Sequence, residues 1–194
     1  MPIESEIIVV SGLPRSGTSL MMQMLHQGGC SILTDSRREP DTDNPAGYFE
    51  YENVKRLRQD TSWLPQARGK AVKIVSQLLY DLPATEHYRV IFMERDADEV
   101  LVSQEKMLRR LNQPAVPRET MKQACDLHLQ RLFEWLAQRS EFTILRVSYN
   151  HLIQTAAAEI SRISEFLDGS VDVGGMSGAI DPALYRNRSP GQPD

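Results

Sequence analysis

The segment from residue 6 to residue 27 constrains the fold of this chain more than any other. An apolar, β-branched run, EIIVVS (residues 6–11), leads into the stretch SGLPRSGTSL, and a helical pattern covers residues 17–27. In that pattern Leu20, Met24 and their apolar neighbours share one face. A strand, a glycine-containing loop and a helix in this order are typical of a phosphate-binding unit at the edge of a parallel sheet.

The rest of the chain alternates apolar runs with helical patterns, which predicts βαβ units and a parallel sheet. The predicted strands are 6–11, 31–33, 71–76, 88–94 and 142–148. The predicted helices are 17–27, 50–60, 97–111, 118–139 and 155–168. We therefore predict an α/β fold, a three-layer α/β/α sandwich with a parallel sheet of about five strands, as in P-loop nucleotide-binding proteins.

Composition limits the class of protein and its surroundings. The 194 residues predict one domain over 1–194, ending in an irregular Gly-, Pro- and Ser-rich segment at 169–194. The net charge of −4 argues against broad binding to nucleic acid or to an anionic membrane. The apolar runs are short of a membrane span, and two distant cysteines indicate reduced thiols, so we expect a cytoplasmic protein.

The loop after the first strand departs from the ATP-binding pattern G-x-x-x-x-G-K-[ST]. Gly12 and Gly17 are in register with its glycines, but Thr18 occupies the lysine position. A cation appears three residues earlier, as Arg15. Enzymes that use ATP need the lysine on the β- and γ-phosphates, so the displaced charge disfavours a kinase. An atypical small-molecule kinase remains an alternative.

The stretch LPRSGTSL resembles the 5′-phosphosulfate-binding loop of the sulfotransferases that use 3′-phosphoadenosine 5′-phosphosulfate (PAPS) as donor. The chain is similar to small cytosolic members of bacterial type. The resemblance implies that Arg15 is the loop cation, that adenosine 3′,5′-bisphosphate (PAP) is the product and that no metal is required. It implies a donor cradle of Ser16, Gly17, Thr18 and Ser19. A cation and N–H donors stabilise the charge that develops on a transferring group and its leaving oxygen.

A second match lies in VIFMERDADEVLVSQEKML. Arg95 ends an apolar strand and Ser103 follows eight residues later. In the family, an Arg and a Ser at this spacing hold the 3′-phosphate of the nucleotide, and the resemblance implies the same here. Read locally, Arg95 could pair with Asp96 or Asp98, and Ser103 could be an exposed helix residue. The joint occurrence with the loop favours the phosphate site.

Two weaker matches complete the resemblance, which spans residues 7–188. In LRVSYNHL, Tyr149 matches a family Tyr that lies near the adenine, although Asn150 and His151 depart from the acidic pair that follows it. Tyr149 could equally be a core residue. Arg186 and Arg188 correspond to a basic C-terminal loop that closes over the nucleotide in the family.

Transfer to a hydroxyl or amine needs a general base, which is a His or a Glu in this family. The matching window, ILTDSRREPDTDNPAGYFEYE, contains no His. We rank Asp35 first, Glu39 second and Glu50 third as the base; the alternative is that most of these carboxylates are solvated loop charges. The expected function is sulfuryl transfer to an unidentified acceptor, either a small molecule or one delivered by a partner. A nucleotide-binding protein without catalysis is the other alternative.

Overall fold

The structure is a computed structural model that describes residues 2–35, 47–110, 112–114 and 116–180. Its strands are β1 (Ile7–Gly12), β2 (Ala71–Lys73), β3 (Tyr88–Glu94) and β4 (Phe142–Ser148). Its α-helices are α1 (Thr18–Gln27), α2 (Ala97–Arg110), α3 (Arg118–Leu136), α4 (Tyr149–Gln154), α5 (Ala156–Phe166) and α6 (Val173–Gly178). Short 3-10 helices cover Ile3–Ser5, Glu52–Arg56, Leu64–Ala67 and Ser76–Asp81.

All four strands are parallel and lie in the order β2-β1-β3-β4. Val9 in β1 is paired with Val72 on one side and with Val90 on the other. The chain therefore adds β2 on one side of β1 and then crosses to add β3 and β4 on the other. In such sheets the crevice for a ligand opens where the order reverses, at the carboxyl ends of the two central strands.

Helices cover both faces of this sheet. Alternate residues of β1 point to opposite faces, so Ile8 and Val10 join one core cluster while Ile7 and Val9 join the other. The first cluster includes residues of α1, α5 and α6, and the second includes residues of α3 and of the 3-10 helices. The predicted parallel three-layer α/β/α sandwich is confirmed, with four strands among the described residues rather than about five.

The missing fifth strand is the predicted strand 31–33. Only Ile32 forms a bridge there, to Ala71 in β2. The chain then turns away, and the backbone N–H of Asp35 bonds to the carbonyl of Glu50 instead of to the sheet. The predicted helix 50–60 is likewise shorter, a 3-10 helix at Glu52–Arg56. Val54 in this helix and the residue that ends it, Leu57, are both buried and lie three apart, which suits three residues per turn.

The C-terminal helical region also differs from the prediction. The predicted helix 155–168 is preceded by a separate short helix, α4, and α5 begins after a break at Thr155. Residues 173–178, predicted to be irregular, form α6, which Asp172 caps by accepting a hydrogen bond from the N–H of Gly175. A Cβ on Gly175 would lie under 3.0 Å from the carbonyl of Gln27, so this glycine permits close packing against α1. Among the described helices, none is long and apolar enough to cross a membrane.

Candidate active site

The loop between β1 and α1 lies at the carboxyl end of the sheet and is pressed against its neighbours. Gly12 and Gly17 have φ angles of 147° and 99°, which favour glycine. A Cβ on Gly12 would lie 2.5 Å from the carbonyl oxygen of Met93, and one on Gly17 would lie under 3.0 Å from the ring of Tyr149. The loop backbone therefore lies close to β3 and α4, and a larger residue does not fit at Gly12 or Gly17 unless its neighbours move.

The amino end of α1 presents polar donors to this loop. Gly17 is the N-cap residue and offers no side chain to the N–H groups of the first turn. The hydroxyl of Ser16 is buried, with the residue 1% exposed, and within the described part of the chain it finds no hydrogen-bond partner. An uncapped helix terminus beside an unsatisfied hydroxyl is suited to an anion.

The loop cation is joined to the helix that follows β3. Nε of Arg15 donates to Oγ of Ser103 in α2 over 2.8 Å, and Ser103 is buried rather than exposed. Nε2 of Gln104 donates to the carbonyl of Pro14 over 3.2 Å, a second link between α2 and the loop. The backbone of Arg15 is left-handed, with φ of 76°, a strained conformation that clusters at functional sites. The structure thus brings together two residues that the sequence matched separately.

Arg95 follows β3 and is nearly buried, with its side chain 8% exposed. Its Nε donates to Oε2 of Glu99 over 2.8 Å, and its guanidinium lies 4.4 Å above the centre of the Tyr149 ring. Glu99 is therefore the partner where local reading suggested Asp96 or Asp98. Asp96 instead caps α2, because its Oδ1 accepts a hydrogen bond from the N–H of Glu99.

Tyr149 takes the core position, one of the two roles that its sequence left open. It is buried in the core cluster beside α1 and α5, and it also contacts Gly17 and Arg95 at the loop. Burial raises the pKa of its phenol, so the side chain is neutral at physiological pH. It forms a wall shared by the core and the candidate site, and its proximity to an adenine stays a prediction.

Lys73 is a candidate site residue that the sequence reading missed. It ends β2 with only 9% of its side chain exposed, and its Nζ lies 3.3 Å from Oγ of Ser19 in α1. Nζ also donates to the carbonyl of Tyr48 and lies 4.0 Å from Oε1 of Glu50. The available signal was a lysine inside the apolar run AVKIVS, next to the strand that carries the loop.

The side chains of the two described candidate carboxylates, Glu50 and Asp35, have different partners. Glu50 contacts Lys73, and the preceding Phe49 has a left-handed backbone with φ of 51°. Asp35 accepts a hydrogen bond from the N–H of Glu52 over 2.7 Å, which caps the 3-10 helix at Glu52–Arg56. Glu39, Arg186 and Arg188 lie outside the described residues. Geometry therefore connects Glu50, ranked third from sequence, to the amino end of α1 through Lys73 and Ser19.

Comparison with known proteins agrees with this fold. The chain aligns with the sulfotransferase domain of the olefin synthase from Synechococcus PCC 7002 at 15% identity and a TM-score of 0.57, covering 95% of this chain and 87% of that one. It aligns with the sulfotransferase domain from the curacin biosynthetic pathway at 13% identity and a TM-score of 0.51, covering 98% and 93%. No curated protein sequence matches significantly. A family model of the sulfotransferase domain matches residues 5–186, and the chain therefore belongs to the sulfotransferase domain family.

Proposed function

We propose that this protein transfers a sulfuryl group from PAPS to a hydroxyl or amine acceptor. Membership of the sulfotransferase domain family supports a transferase activity. The observation that carries the choice of donor is the cluster of Arg15, Ser103 and Arg95, which joins the elements that follow β1 and β3. These two strands flank the point where the strand order reverses, the usual location of a nucleotide in such a sheet.

The residues around the loop fit a donor with phosphate groups at both ends of its ribose. The uncapped amino end of α1, with Ser16, Thr18 and Ser19, would hold the 5′-phosphosulfate. Arg95 and Ser103 would hold the 3′-phosphate through charge-assisted hydrogen bonds. PAPS supplies an activated sulfuryl group and a phosphate leaving group. The unsatisfied hydroxyl of Ser16 supports this fit, because a phosphate oxygen would give it a partner.

The chain's own side chains supply the remaining chemistry. Arg15 and Lys73 place positive charge beside the loop, where negative charge grows during transfer. Glu50, 4.0 Å from Lys73, is the group that we propose accepts the proton of the acceptor hydroxyl or amine. The acceptor itself is proposed only as a class, a small molecule or a group delivered by a partner. The cytoplasm remains the proposed location on sequence grounds.

Binding of nucleotides tests the donor site directly. We expect adenosine 3′,5′-bisphosphate to raise the melting temperature more than adenosine 5′-monophosphate at equal concentration. A ligand of the folded state stabilises it, and the tighter ligand stabilises it more. Arg95→Ala should remove most of this difference, a loss of roughly tenfold to a hundredfold in affinity for the bisphosphate. The measurement is thermal unfolding with each nucleotide, for the unmutated protein and the variant, without added metal.

ATP with Mg²⁺ is the control for the kinase alternative. A strong stabilisation by ATP that depends on Mg²⁺, with no preference for the bisphosphate, would contradict the proposed donor. If the bisphosphate binds as expected, a screen of hydroxyl and amine acceptors with labelled PAPS separates an enzyme from a binding protein, since only the enzyme forms labelled product.

A further inference from the structure

Arg95 is held by a chain of hydrogen bonds that ends at the backbone N–H of the next residue, Asp96. Its Nε donates to Oε2 of Glu99, and Nδ2 of Asn150 donates to the other oxygen of Glu99 over 3.2 Å. Oδ1 of Asn150 in turn accepts a hydrogen bond from the N–H of Asp96 over 3.1 Å. Arg95 and Asn150 thus donate to different oxygens of Glu99, and Asn150 connects α4 to the start of α2.

This network orients the guanidinium of Arg95 as well as balancing its charge. The guanidinium is planar with five N–H donors in a rigid fork. Holding Nε on Glu99 and the guanidinium carbon 4.4 Å from the centre of the Tyr149 ring therefore restricts where the two terminal nitrogens point, and one of them, Nη1, lies 3.5 Å from the carbonyl of Arg15. The Glu99 side chain is 1% exposed, and a buried ion pair of this kind contributes little net stability. Its contribution to orientation is the better explanation for a buried glutamate at this position.

The side chain at position 150 must both donate and accept. Asn150 donates to Glu99 with its amide nitrogen and accepts from Asp96 with its amide oxygen. A carboxylate of the same shape could still accept from the N–H of Asp96, but its second oxygen would face the Glu99 carboxylate. Two like charges in contact at a buried site repel each other strongly.

We propose that Glu99 and Asn150 are positioning residues that set the plane of Arg95 and thereby the preference for a nucleotide with a 3′-phosphate. The inference rests on the proposed donor site. The competing role for Glu99 is a simple counter-charge that reduces the attraction of Arg95 for phosphate. The two roles predict opposite signs: loss of a positioning residue weakens the preference for the bisphosphate, whereas loss of a counter-charge strengthens it.

A reciprocal exchange tests the positioning role. Glu99→Gln leaves one acceptor oxygen for two donors, and Asn150→Asp sets two carboxylates against each other. We expect each change to lower the affinity for adenosine 3′,5′-bisphosphate, divided by the affinity for adenosine 5′-monophosphate, by roughly tenfold. In the double variant the introduced amide can accept from Arg95 and donate to the introduced carboxylate, which still accepts from Asp96. The ratio should therefore return to within about threefold of the original value.

The measurement is calorimetric titration of both nucleotides into the unmutated protein, the two single variants, the double variant and a control. The control is Glu94→Gln, which removes a carboxylate adjacent to Arg95 in sequence that pairs with Arg146 instead. Its ratio should not change, and unfolding without nucleotide reports whether each variant is folded. If Glu99→Gln does not fold, Asn150→Asp alone carries the test.

The outcomes separate this inference from the proposed function. A preference for the bisphosphate that persists in Asn150→Asp, or that increases in Glu99→Gln, overturns the positioning role and leaves the donor site standing. The positioning role is also overturned if the ratio of affinities in the double variant is lowered by as much as the two single changes combined. Equal binding of the two nucleotides by the unmutated protein overturns the proposed donor site, and the positioning role with it.

Discussion

Arg15 and Phe49 are the two non-glycine residues at the candidate site with left-handed backbones, at φ of 76° and 51°. Such a conformation costs on the order of 1–3 kcal/mol at each residue and persists only where the surroundings enforce it. The side chain of Arg15 donates to Ser103, and Glu50, the residue after Phe49, lies beside Lys73. A left-handed backbone therefore occurs at Arg15 and immediately before Glu50, two of the three charged residues to which we assign chemistry.

The carboxylates Glu50 and Asp35 should respond differently to neutralisation. Glu50→Gln should lower kcat at saturating acceptor by roughly a hundredfold to ten-thousandfold, with little change in nucleotide binding, because a general base is lost. Asp35→Asn should instead lower the free energy of unfolding by about 1 kcal/mol, because it weakens the bond to the N–H of Glu52. Steady-state kinetics with an acceptor from the screen and urea unfolding measure the two effects. An inactive but stable Asp35→Asn, beside an active Glu50→Gln, would restore the ranking made from sequence.

At the scale of elements, the predicted bounds agree with the structure where an element is specified by its own residues and differ where it depends on residues distant in the chain. Strands β3 and β4 match their predicted ranges, and β1 is displaced by one residue, because each is a largely apolar run. Nearly all of β1 and β3 is buried, whereas β4 at the edge of the sheet is buried at Phe142 and Val147. The segment 31–33 carries an equally apolar but short run, and its pairing ends when Asp35 turns to meet Glu50. That turn depends on residues 15 positions away, which no local pattern contains.

The same reasoning applies to the candidate site. The loop between β1 and α1 could be predicted because its residues are consecutive in the chain. Lys73 could not be grouped with Glu50 and Ser19, because the contact exists only once β2 is paired beside β1. Likewise Glu99 could not be assigned to Arg95 ahead of the nearer Asp96 and Asp98. The helical geometry that turns Asp96 into a cap leaves Glu99 to pair, four residues after the arginine.

The contact between the loop and α4 gives a test at this scale. Gly17→Ala should weaken binding of adenosine 3′,5′-bisphosphate and lower the free energy of unfolding by about 1–3 kcal/mol, because the new Cβ would collide with Tyr149 in addition to straining the backbone. Gly29→Ala is the matched control, since φ there is 85° but, among the described residues other than its chain neighbours, no atom lies within 4 Å of the added Cβ. Urea unfolding and calorimetry compare the two variants. Equal losses of stability would mean that Tyr149 moves aside, contrary to a fixed wall.

At the scale of the whole molecule, the proposed donor site is assembled from elements distant in sequence. Arg15 follows β1, Arg95 and Ser103 follow β3, and Tyr149 follows β4. The hydrogen bond between Arg15 and Ser103 joins residues 88 positions apart. A nucleotide held by all four would therefore connect three of the four strands, and its binding energy would add to the stability of the sheet as a unit.

The position of β2 in the sheet has a consequence for the rate at which parts of the protein open. Arg15 and Arg95 extend from the two central strands, whereas Lys73 ends a three-residue strand whose outer side has a single bridge. We expect backbone amides of β1 and β3 to exchange with deuterium only on global unfolding, and amides of 31–35 and 71–73 to exchange at least about tenfold faster. Hydrogen-exchange mass spectrometry measures this difference, and uniform protection would contradict it. The protein would then hold its nucleotide through openings that repeatedly separate Lys73 and Glu50 from the loop, so an acceptor could enter and leave many times during one residence of the donor.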